Sequence, residues 1–496
     1  MNFPTNEQGW AALTQWGIEP RMNDLEAVMW RGEHHPELSS SGVAVELMAS
    51  VPDWERFRDA HVWGTSMVRR LRQRVMEPAL PMGPPAWVDD PEFDLTYHLR
   101  RVQLPEPADM RELLDLAQVI GETPMDRTRP LWTGTLVENL QGGRSAYVLH
   151  IHHCLMDGAA AMQLFAGIHS NRAEPSPDKP SVEHSEPEHR TPLALAASDL
   201  TGQLRGLPEG ARRVVDVVGG TLARPVRAAR YLASVRRVLS PPAGAAPSPL
   251  QRHQTGRAWR FGILDCALDD LKQAGRTVDG TLNAAYIAAL LGGIRRYHDA
   301  MGIELGDVPV AMPVSVRRPD DPPGGNRFAA AMFAGPAGTR DPAERMALIR
   351  DAVLSARSEP ALDVLGKLSP LLSRIPSVLL GPAMMSAMPH PMLSASNVPG
   401  LTEPAYAAGA RVDRMYVFPP LPAVSMLAAL CSYAGTSCIG MNCDGSVFTD
   451  TELLWKCMRE GLDEVLDLGR TPQSPAKATR PRSRAGNQHG NAHADR

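Results

Sequence analysis

The residues best suited to chemistry lie in one short run, His150-Ile151-His152-His153-Cys154-Leu155-Met156-Asp157-Gly158. A histidine side chain titrates near pH ~6.5, so it can take up and release a proton under cellular conditions. Three interpretations fit the run. The histidines are buried structural residues with Asp157 capping the next helix, they are metal ligands, or one of them is the catalytic histidine of an HHxxxDG motif.

The metal interpretation depends on His150 and His152, which alternate onto one face of a strand with Asp157 nearby. Hydrolytic metal sites usually show an HxHxDH pattern together with more distant His and Asp ligands. The Asp-His pair of that pattern is missing from this run. The sequence therefore favours the catalytic interpretation, and no bound metal is expected.

The elements predicted around this run place it at the end of a strand. Residues Ser145 to Ile151 are expected to form that strand, paired through a turn at Gly142-Gly143 with an earlier strand, Thr133 to Val137. A helix of small residues is predicted to follow, from Ala159 to Ile168. A side chain at a strand end can project into a cleft while the sheet fixes its position.

The composition is that of a folded protein without a strong charge bias. The chain has 496 residues, 43% of them hydrophobic, and a net charge of −4 from 51 Lys and Arg against 55 Asp and Glu. It can bury a sizeable core, and its charge gives no reason to expect a nucleic-acid partner. Six cysteines without a CxxC pair favour a reduced, intracellular setting, and the N-terminus lacks the pattern of a secretory signal.

Shifts in composition divide the chain into four parts. Residues 1–170 are predicted to form a first lobe that carries the histidines, and residues 251–470 a second lobe. Residues 171–250 are expected to hold a flexible linker and a basic amphipathic helix, because the start of this part has almost no apolar residues to bury. Residues 471–496 are predicted to be a disordered tail.

Two segments raise the question of membrane contact. The arginine-rich helix within Arg212–Arg237 is expected either to contact an anionic membrane or lipid-droplet surface, or to dock between the lobes by its apolar stripe. The uncharged stretch Met415–Cys443 is longer than the roughly 20 residues that a spanning helix needs. Its prolines and glycines divide it into strand-sized pieces, so buried strands are predicted there.

Several segments resemble one known family. The run His152–Gly158 resembles the HHxxxDG signature of CoA-dependent acyltransferases and peptide-synthetase condensation domains. Further segments are similar, in the same order, to those of the bacterial wax ester synthase/acyl-CoA:diacylglycerol acyltransferase family. They are Phe93–Arg100 (FDLTYHLR), Asp126–Trp132 (DRTRPLW), Pro313–Arg317 (PVSVR) followed by Gly325-Asn326, Asn397–Gly400 (NVPG) and Ser432-Tyr433.

The chain departs from the family pattern at three places. Glu26 stands where an Asp is usual, and Asn283-Ala284 stands where the family has an Asn-Asp pair. The NVPG loop continues with Leu401 in place of a further proline. These departures leave the histidines intact and bear on substrate preference and specific activity.

The resemblance implies a fold and a set of residue roles. The fold is α/β with mixed sheets, arranged as two chloramphenicol-acetyltransferase-like lobes with an active-site tunnel between them. His153 would be the general base, with His152 in support. Asp157 would be structural, paired with an arginine, and Gly158 would form a tight turn.

The resemblance also implies the substrates. A long-chain acyl group would pass from acyl-CoA to diacylglycerol, to a long-chain alcohol, or to both, without an acyl-enzyme and without a cofactor. Asn283, Asn397 and Trp132 are the candidate substrate-binding residues. The expected location is the cytoplasm, with peripheral contact to the inner membrane face or lipid droplets left open.

Two alternatives stay open at this point. One is a non-catalytic lipid-surface-binding protein of the same fold, suggested by the missing acid at Ala284. The other is an acyltransferase for a different alcohol or for an amine.

Overall fold

The computed structural model describes residues 6–80, 83–176, 179–180, 182, 190–201, 225–240, 242–255, 258–318, 320–387 and 390–470. Two six-stranded mixed sheets, each flanked by helices, form two lobes. Each lobe has its own hydrophobic core.

The first sheet contains the strand that leads to the histidines. From edge to edge its strands are β11 (Tyr406–Ala407), β12 (Ala410–Phe418), β1 (Ser41–Met48), β6 (Arg144–His152), β5 (Trp132–Leu140) and β4 (Leu99–Gln103). A separate hairpin joins β2 (Gln73–Met76) to β3 (Ala86–Asp89). Strand β6 lies inside the sheet, antiparallel to both of its neighbours, so the histidines at its end are held on two sides.

The second sheet belongs to the other lobe. Its strands, edge to edge, are β7 (Trp259–Ala267), β14 (Thr436–Asp444), β13 (Met426–Tyr433), β10 (Leu393–Val398), β8 (Val308–Ser315) and β9 (Phe328–Gly335). The start of β9 matters below, because Asn326 and Phe328 contact His153 of the first lobe. The end of β10 matters because Val398 lies close to Gly158.

Helices pack on both sheets. In chain order they are Asn6–Gln15, Asp24–Gly32, Trp54–Met67, Leu95–His98, Met110–Glu122, Gly158–Ile168, Pro225–Leu239, Leu268–Arg276, Leu282–Ala300, Pro342–Arg357, Val364–Leu372, Ser377–Ala387 and Thr451–Arg470. The short 3-10 helix His153–Leu155 connects β6 to the helix Gly158–Ile168.

The predicted local elements around the histidines are confirmed. The strand expected at Ser145–Ile151 is β6, and the turn before it has positive φ angles of 80° at Gly142 and 70° at Gly143. Glycine adopts such angles without the steric cost that a Cβ would add. The uncharged stretch Met415–Cys443 forms the end of β12 followed by β13 and β14, as predicted. Among the described residues, no helix has both the length and the apolar character needed to cross a membrane.

Strands β11 and β12 cross from one lobe to the other. They come late in the chain, within the range assigned to the second lobe, yet β12 pairs antiparallel with β1 along six residue pairs, from Val43↔Phe418 to Met48↔Val412. The segment Ala410–Phe418 thereby ties the two lobes together through backbone hydrogen bonds. The sequence gives no sign of this exchange, since β12 has the pattern of any half-buried strand.

The part between the lobes is described only in pieces. The helix Pro225–Leu239 docks on the second lobe, because Arg237 Nε lies 2.8 Å from Glu359 Oε1 and Ser234 Oγ donates to Glu359 Oε2 at 2.6 Å. Residues 212–224 of the predicted basic helix lie outside the described residues, as does the predicted tail 471–496.

Candidate active site

His153 stands where β6 leaves the first sheet. Its backbone N–H donates to the carbonyl oxygen of Ser40 at 2.7 Å, just before β1 begins. Its half-buried ring lies edge-on to Phe328 of the second lobe, with 5.8 Å between ring centroids. The residue is therefore fixed by one lobe and faced by the other.

The side chain of Asn326 holds the His153 ring. Asn326 Nδ2 donates to the His153 carbonyl oxygen at 2.7 Å, which turns its Oδ1 towards His153 Nδ1 at 2.9 Å. Because an amide oxygen can only accept, Nδ1 carries the proton in this pairing. The other ring nitrogen, Nε2, is then left with a free lone pair.

The surroundings of His153 favour the neutral ring. Burial lowers the pKa of His153 below its ordinary value, while the charge of Asp157 and the hydrogen bond to Asn326 oppose this shift. An uncharged imidazole with Nε2 unprotonated is the form that can accept a proton from a hydroxyl group.

Asn326 is itself anchored by the first lobe. Its backbone N–H donates to Glu26 Oε1 at 2.9 Å, and Asn23 Nδ2 donates to its carbonyl oxygen at 3.1 Å. Burial raises the pKa of the Glu26 carboxyl to about 7, against the opposing charge of Arg70 and several hydrogen bonds. Glu26, one of the departures from the family pattern, thus lies two contacts away from His153.

Asp157 joins the two lobes below the histidine. Its Oδ1 accepts from the backbone N–H of Ala160 at 2.8 Å and so caps the helix Gly158–Ile168. Its Oδ2 accepts from the backbone N–H of Arg327 at 2.9 Å and from Arg317 Nη2 at 3.2 Å. Both carboxylate oxygens of Asp157 therefore accept hydrogen bonds that hold the helix and the two lobes together. Arg317 is an arginine partner of the kind that the resemblance implies.

Gly158 is constrained by space. It is the first residue of its helix, and a Cβ at this position would lie 2.6 Å from Cγ2 of Val398 in the second lobe. Its φ is outside the left-handed region that favours glycine. The structure has the start of a helix at Gly158, where a tight turn was expected. Strand β10 lies too close to this position for a side chain to fit.

His152 points away from the cavity that His153 faces. It is 1% exposed, its Nδ1 accepts from the backbone N–H of Cys154 at 3.0 Å, and its Nε2 lies 2.8 Å from Glu33 Oε2. Burial alone would raise the pKa of the Glu33 carboxyl, but the hydrogen bond and charge of His152, with smaller effects from Ser40 and Arg127, lower it to about 2.

A cavity of about 250 Å³ opens in front of His153 between the lobes. The first lobe contributes residues on β1, β6 and the helix Gly158–Ile168, and the second lobe residues on β8, β9 and β10. Its walls are mainly apolar, with His153, Asp157, Ser315, Arg327, Ser396 and Asn397 among the polar lining residues. We call it the His153 cavity.

The structure separates the three candidate substrate-binding residues. Asn397 lines the His153 cavity, and its Nδ2 donates to Asn283 Oδ1 at 2.7 Å. Asn283, in the first turn of the helix Leu282–Ala300, therefore positions Asn397. Trp132 lines a second cavity in the first lobe, where its indole N–H donates to the Leu71 carbonyl oxygen at 2.8 Å. Ala284, where the family acid is missing, is buried in the core of the second lobe.

The arrangement of the other histidines bears on the metal interpretation. His150 is 4% exposed on the same strand face as His152, and burial lowers its pKa to about 4. Within the described ranges, no group of three or more His, Cys, Asp or Glu side chains is placed to hold a metal ion.

Two residues in this site are not among the sequence candidates. Asn326 is 173 positions from His153 in the chain, and Glu33 is 119 positions from His152. The pair Gly325-Asn326, one of the segments that resemble the family, was the available signal for the first. No sequence signal marks Glu33.

Solved structures of two other proteins share the fold. The wax ester synthase/diacylglycerol acyltransferase from Marinobacter aquaeolei VT8 superposes with a TM-score of 0.56 at 20% identity, covering 87% of this chain and 95% of that one. The first condensation domain of the CDA synthetase gives a TM-score of 0.54 at 14% identity, covering 92% of this chain and 98% of that one. The predicted two-lobed α/β fold is confirmed, and the chain shares it with both of these proteins.

Sequence comparison identifies the family. Residues 21–286 match the wax ester synthase/diacylglycerol acyltransferase catalytic domain, and residues 324–465 match the C-terminal domain of the same family. The chain is 36% identical over 477 residues to a candidate diacylglycerol O-acyltransferase of Mycobacterium tuberculosis (strain H37Rv), covering 93% of this chain and 95% of that one. The chain therefore belongs to the wax ester synthase/diacylglycerol acyltransferase family, and it is an acyltransferase.

Proposed function

We propose that this protein transfers a long-chain acyl group from acyl-CoA to the hydroxyl of diacylglycerol, of a long-chain alcohol, or of both. The observation that carries the proposal is the state of His153. Its Nδ1 is held by Asn326, which leaves Nε2 free to act on a substrate in an apolar cavity between two lobes. The names of the relatives supply the substrate classes.

In the proposed mechanism His153 acts as a general base. Nε2 removes the proton of the acceptor hydroxyl while the oxygen attacks the carbonyl carbon of the thioester. The tetrahedral oxyanion then collapses, the carbon–sulfur bond breaks, and the imidazolium returns the proton to the CoA thiolate. General-base help of this kind contributes about 10²–10⁴-fold to the rate.

Neighbouring residues supply position rather than proton transfer in this mechanism. Asn326 fixes the tautomer, Asp157 holds the loop and the helix behind it, and Asn397 offers a hydrogen bond to the substrate or to the oxyanion. His152 contacts Glu33 on the side away from the cavity, and this contact fixes the chain that leads into His153. The acyl group passes directly from the thioester to the acceptor oxygen, without an acyl-enzyme and without a cofactor.

Product analysis tests this function directly. The purified full-length protein is given a radiolabelled long-chain acyl-CoA with dioleoylglycerol, with hexadecanol, or with a long-chain amine. Triacylglycerol or wax ester should form, and a chelator should leave the rate unchanged. A product with the amine alone would replace the proposed acceptor, chelator sensitivity would restore a metal, and no product with any acceptor would contradict the function.

We further propose that the protein binds an anionic lipid surface through one side of the second lobe. The helices Val364–Leu372 and Ser377–Ala387 expose apolar side chains there, among them Leu371 at 69% and Val378 at 70%. Basic residues lie beside them. Lys367 is exposed with its Nζ 5.0 Å from the ring centroid of Tyr231, so the helix Pro225–Leu239, with exposed Arg230 and Arg236, adjoins this patch.

Apolar side chains next to cations suit insertion at the boundary between headgroups and acyl chains. Vesicles of phosphatidylcholine with phosphatidylglycerol provide the test, by flotation. The double variant Leu371→Asn with Val378→Asn should bind at least about tenfold more weakly, since each apolar side chain buried contributes about 1.5–3 kcal/mol.

A matched double variant controls for exposure. Val119 and Leu193 are 60% and 75% exposed elsewhere in the chain, and Val119→Asn with Leu193→Asn should leave vesicle binding unchanged. Equal flotation of both double variants and the wild type would contradict this surface.

A further inference from the structure

A second cavity, of about 270 Å³, lies in the first lobe. Its lining includes Phe57 and Trp132, and it shares the side chains of Leu149, Ile151 and Phe165 with the His153 cavity. We call it the distal cavity. The shared residues place the two cavities side by side along the sheet.

The floor of both cavities is one face of β1 and β6. Side chains two residues apart on a strand share a face, so Ile151, Leu149 and Tyr147 lead away from the histidine in a row. The paired residue of Tyr147 on β1 is Glu46. Six residues of strand separate Ser40, beside His153, from Glu46, which corresponds to about 20 Å.

Glu46 is a buried acidic residue at the end of this row of side chains. It is 1% exposed and lines the distal cavity. Its Oε2 lies 3.0 Å from Nε2 of His169, whose Nδ1 donates to the Phe165 carbonyl oxygen at 3.0 Å. Burial disfavours charge on His169, but Glu46 raises its pKa above the ordinary value, so the two side chains form a buried ion pair.

The second carboxylate oxygen of Glu46 is unused. Oε1 is buried and has no hydrogen-bond partner among the described residues. The nearby hydroxyl of Tyr147 has another partner, since it lies 2.9 Å from Nε2 of His61. A buried carboxylate oxygen without a donor costs about 1–3 kcal/mol or more, so a donor is expected from outside the protein.

We infer that the distal cavity binds the far end of a long alkyl chain that carries a hydroxyl group, with Glu46 Oε1 accepting the hydroxyl hydrogen. The inference rests on the proposed function, because the chain belongs to the acyl donor or to the acceptor alcohol. A plain alkyl chain fills the same space but leaves Oε1 unpaired. The enzyme therefore prefers chains with a hydroxyl group at or near the end remote from the reacting carbon.

Kinetics with matched substrates test this preference. One arm compares ω-hydroxypalmitoyl-CoA with ω-methoxypalmitoyl-CoA, both with dioleoylglycerol as acceptor. The other compares hexadecanediol with ω-methoxyhexadecanol, both with palmitoyl-CoA. A methoxy group has similar size but cannot donate a hydrogen bond, so kcat/KM should be at least about tenfold higher for the hydroxyl substrate in one arm. That arm identifies which substrate occupies the distal cavity.

Variants of Glu46 show whether the carboxylate is responsible. Glu46→Leu should bring the hydroxyl-to-methoxy ratio close to one, and Glu46→Gln should lower it if the leucine variant does not fold. Glu138 on β5 offers a matched control, being 4% exposed and paired with Arg101 at 2.8 Å, away from both cavities. Glu138→Leu, checked for folding by thermal unfolding, should keep the wild-type ratio.

Equilibrium binding separates this inference from the proposed function. Calorimetry with ω-hydroxypalmitate and ω-methoxypalmitate needs no turnover. The inference would be overturned if the enzyme turns over palmitoyl-CoA, the hydroxyl and methoxy substrates have equal kcat/KM values in each arm, and the two acids bind equally. That result would mean that an ordered water satisfies Oε1. Absence of any ester product would overturn the proposed function, and the binding ratio would then decide the inference alone.

Discussion

His152 and His153 are neighbours in the chain and occupy two different environments. His152 is buried in the first lobe against Glu33, a carboxylate of the same lobe. His153 faces a cavity between the lobes, and its partner is Asn326, an amide of the second lobe. His152 is held by a carboxylate and a backbone N–H, and His153 by the side-chain amide of Asn326.

The two partners show that orienting an imidazole ring and changing its charge are separate effects. A carboxylate in the place of Asn326 would favour the imidazolium form of His153, which has no lone pair for a proton, whereas the amide orients the ring without adding charge. The amide also ties the geometry of His153 to the second lobe, so the base is correctly placed only when the lobes are together. The comparison predicts that the two histidines respond differently to matched substitutions.

The largest effect is expected from removing the His153 ring. His153→Ala should lower kcat by about 10²–10⁴-fold, because the general base is lost while the cavity remains. His152→Ala, which removes a ring of equal size one position earlier, should reduce kcat far less and should chiefly lower the unfolding midpoint. Steady-state kinetics and thermal unfolding of both variants check this. Equal losses of kcat in two equally stable variants would remove the distinction between the histidines.

The next effect concerns the partner of His153. Asn326→Asp puts a carboxylate where the amide stands, so the pKa of His153 should rise and the acid limb of the kcat/KM profile should move to higher pH by about one unit or more. Asn326→Ala removes the orienting bond without adding charge, so it should lower kcat about tenfold or more. It also removes a hydrogen bond that raises the pKa of His153, so the acid limb should move to lower pH, opposite to the shift in Asn326→Asp. Profiles that shift in neither variant would contradict the role of the amide.

From the sequence alone, the parts of the site that depend on local patterns could be predicted. The strand β6, the turn before it and the helix from Gly158 follow from residues within one short segment, and each was predictable. The resemblance added His153, Asp157 and the family fold. These features depend on near neighbours or on a motif that is continuous in the chain.

The remaining parts depend on contacts between distant segments. Asn326 meets His153 because the loop before β9 packs on the first lobe, and Glu26 in turn anchors that loop. The crossing of β12 into the first sheet leaves no mark on its own sequence. Glu33 is one acidic residue among many until the fold places it 2.8 Å from His152.

The contact between the lobes can be tested at Gly158. Gly158→Ala places a Cβ 2.6 Å from Val398 Cγ2, so it should lower the free energy of unfolding by about 1–3 kcal/mol. In an exposed helix the same change would stabilise the protein, since alanine is the better helix former. Chemical unfolding of Gly158→Ala, Val398→Ala and the double variant forms a double-mutant cycle. The double variant should be more stable than the sum of the two effects; strict additivity would mean that the lobes are not in contact there.

The smallest effect is expected on the His152 side. Glu33→Gln removes the carboxylate that His152 contacts, so it should lower the free energy of unfolding by about 1–2 kcal/mol and change kcat by less than about threefold. The folded-state pKa of Glu33 is about 2, below the ordinary value of 4.5, so its stabilising effect is complete above pH 4.5 and is lost as the pH falls towards 2. Chemical unfolding from pH 7 downwards should therefore show the gap between wild type and variant closing on acidification. A gap that stays constant, or a large fall in kcat at pH 7, would show that His152 and Glu33 contribute to catalysis as well as to the fold.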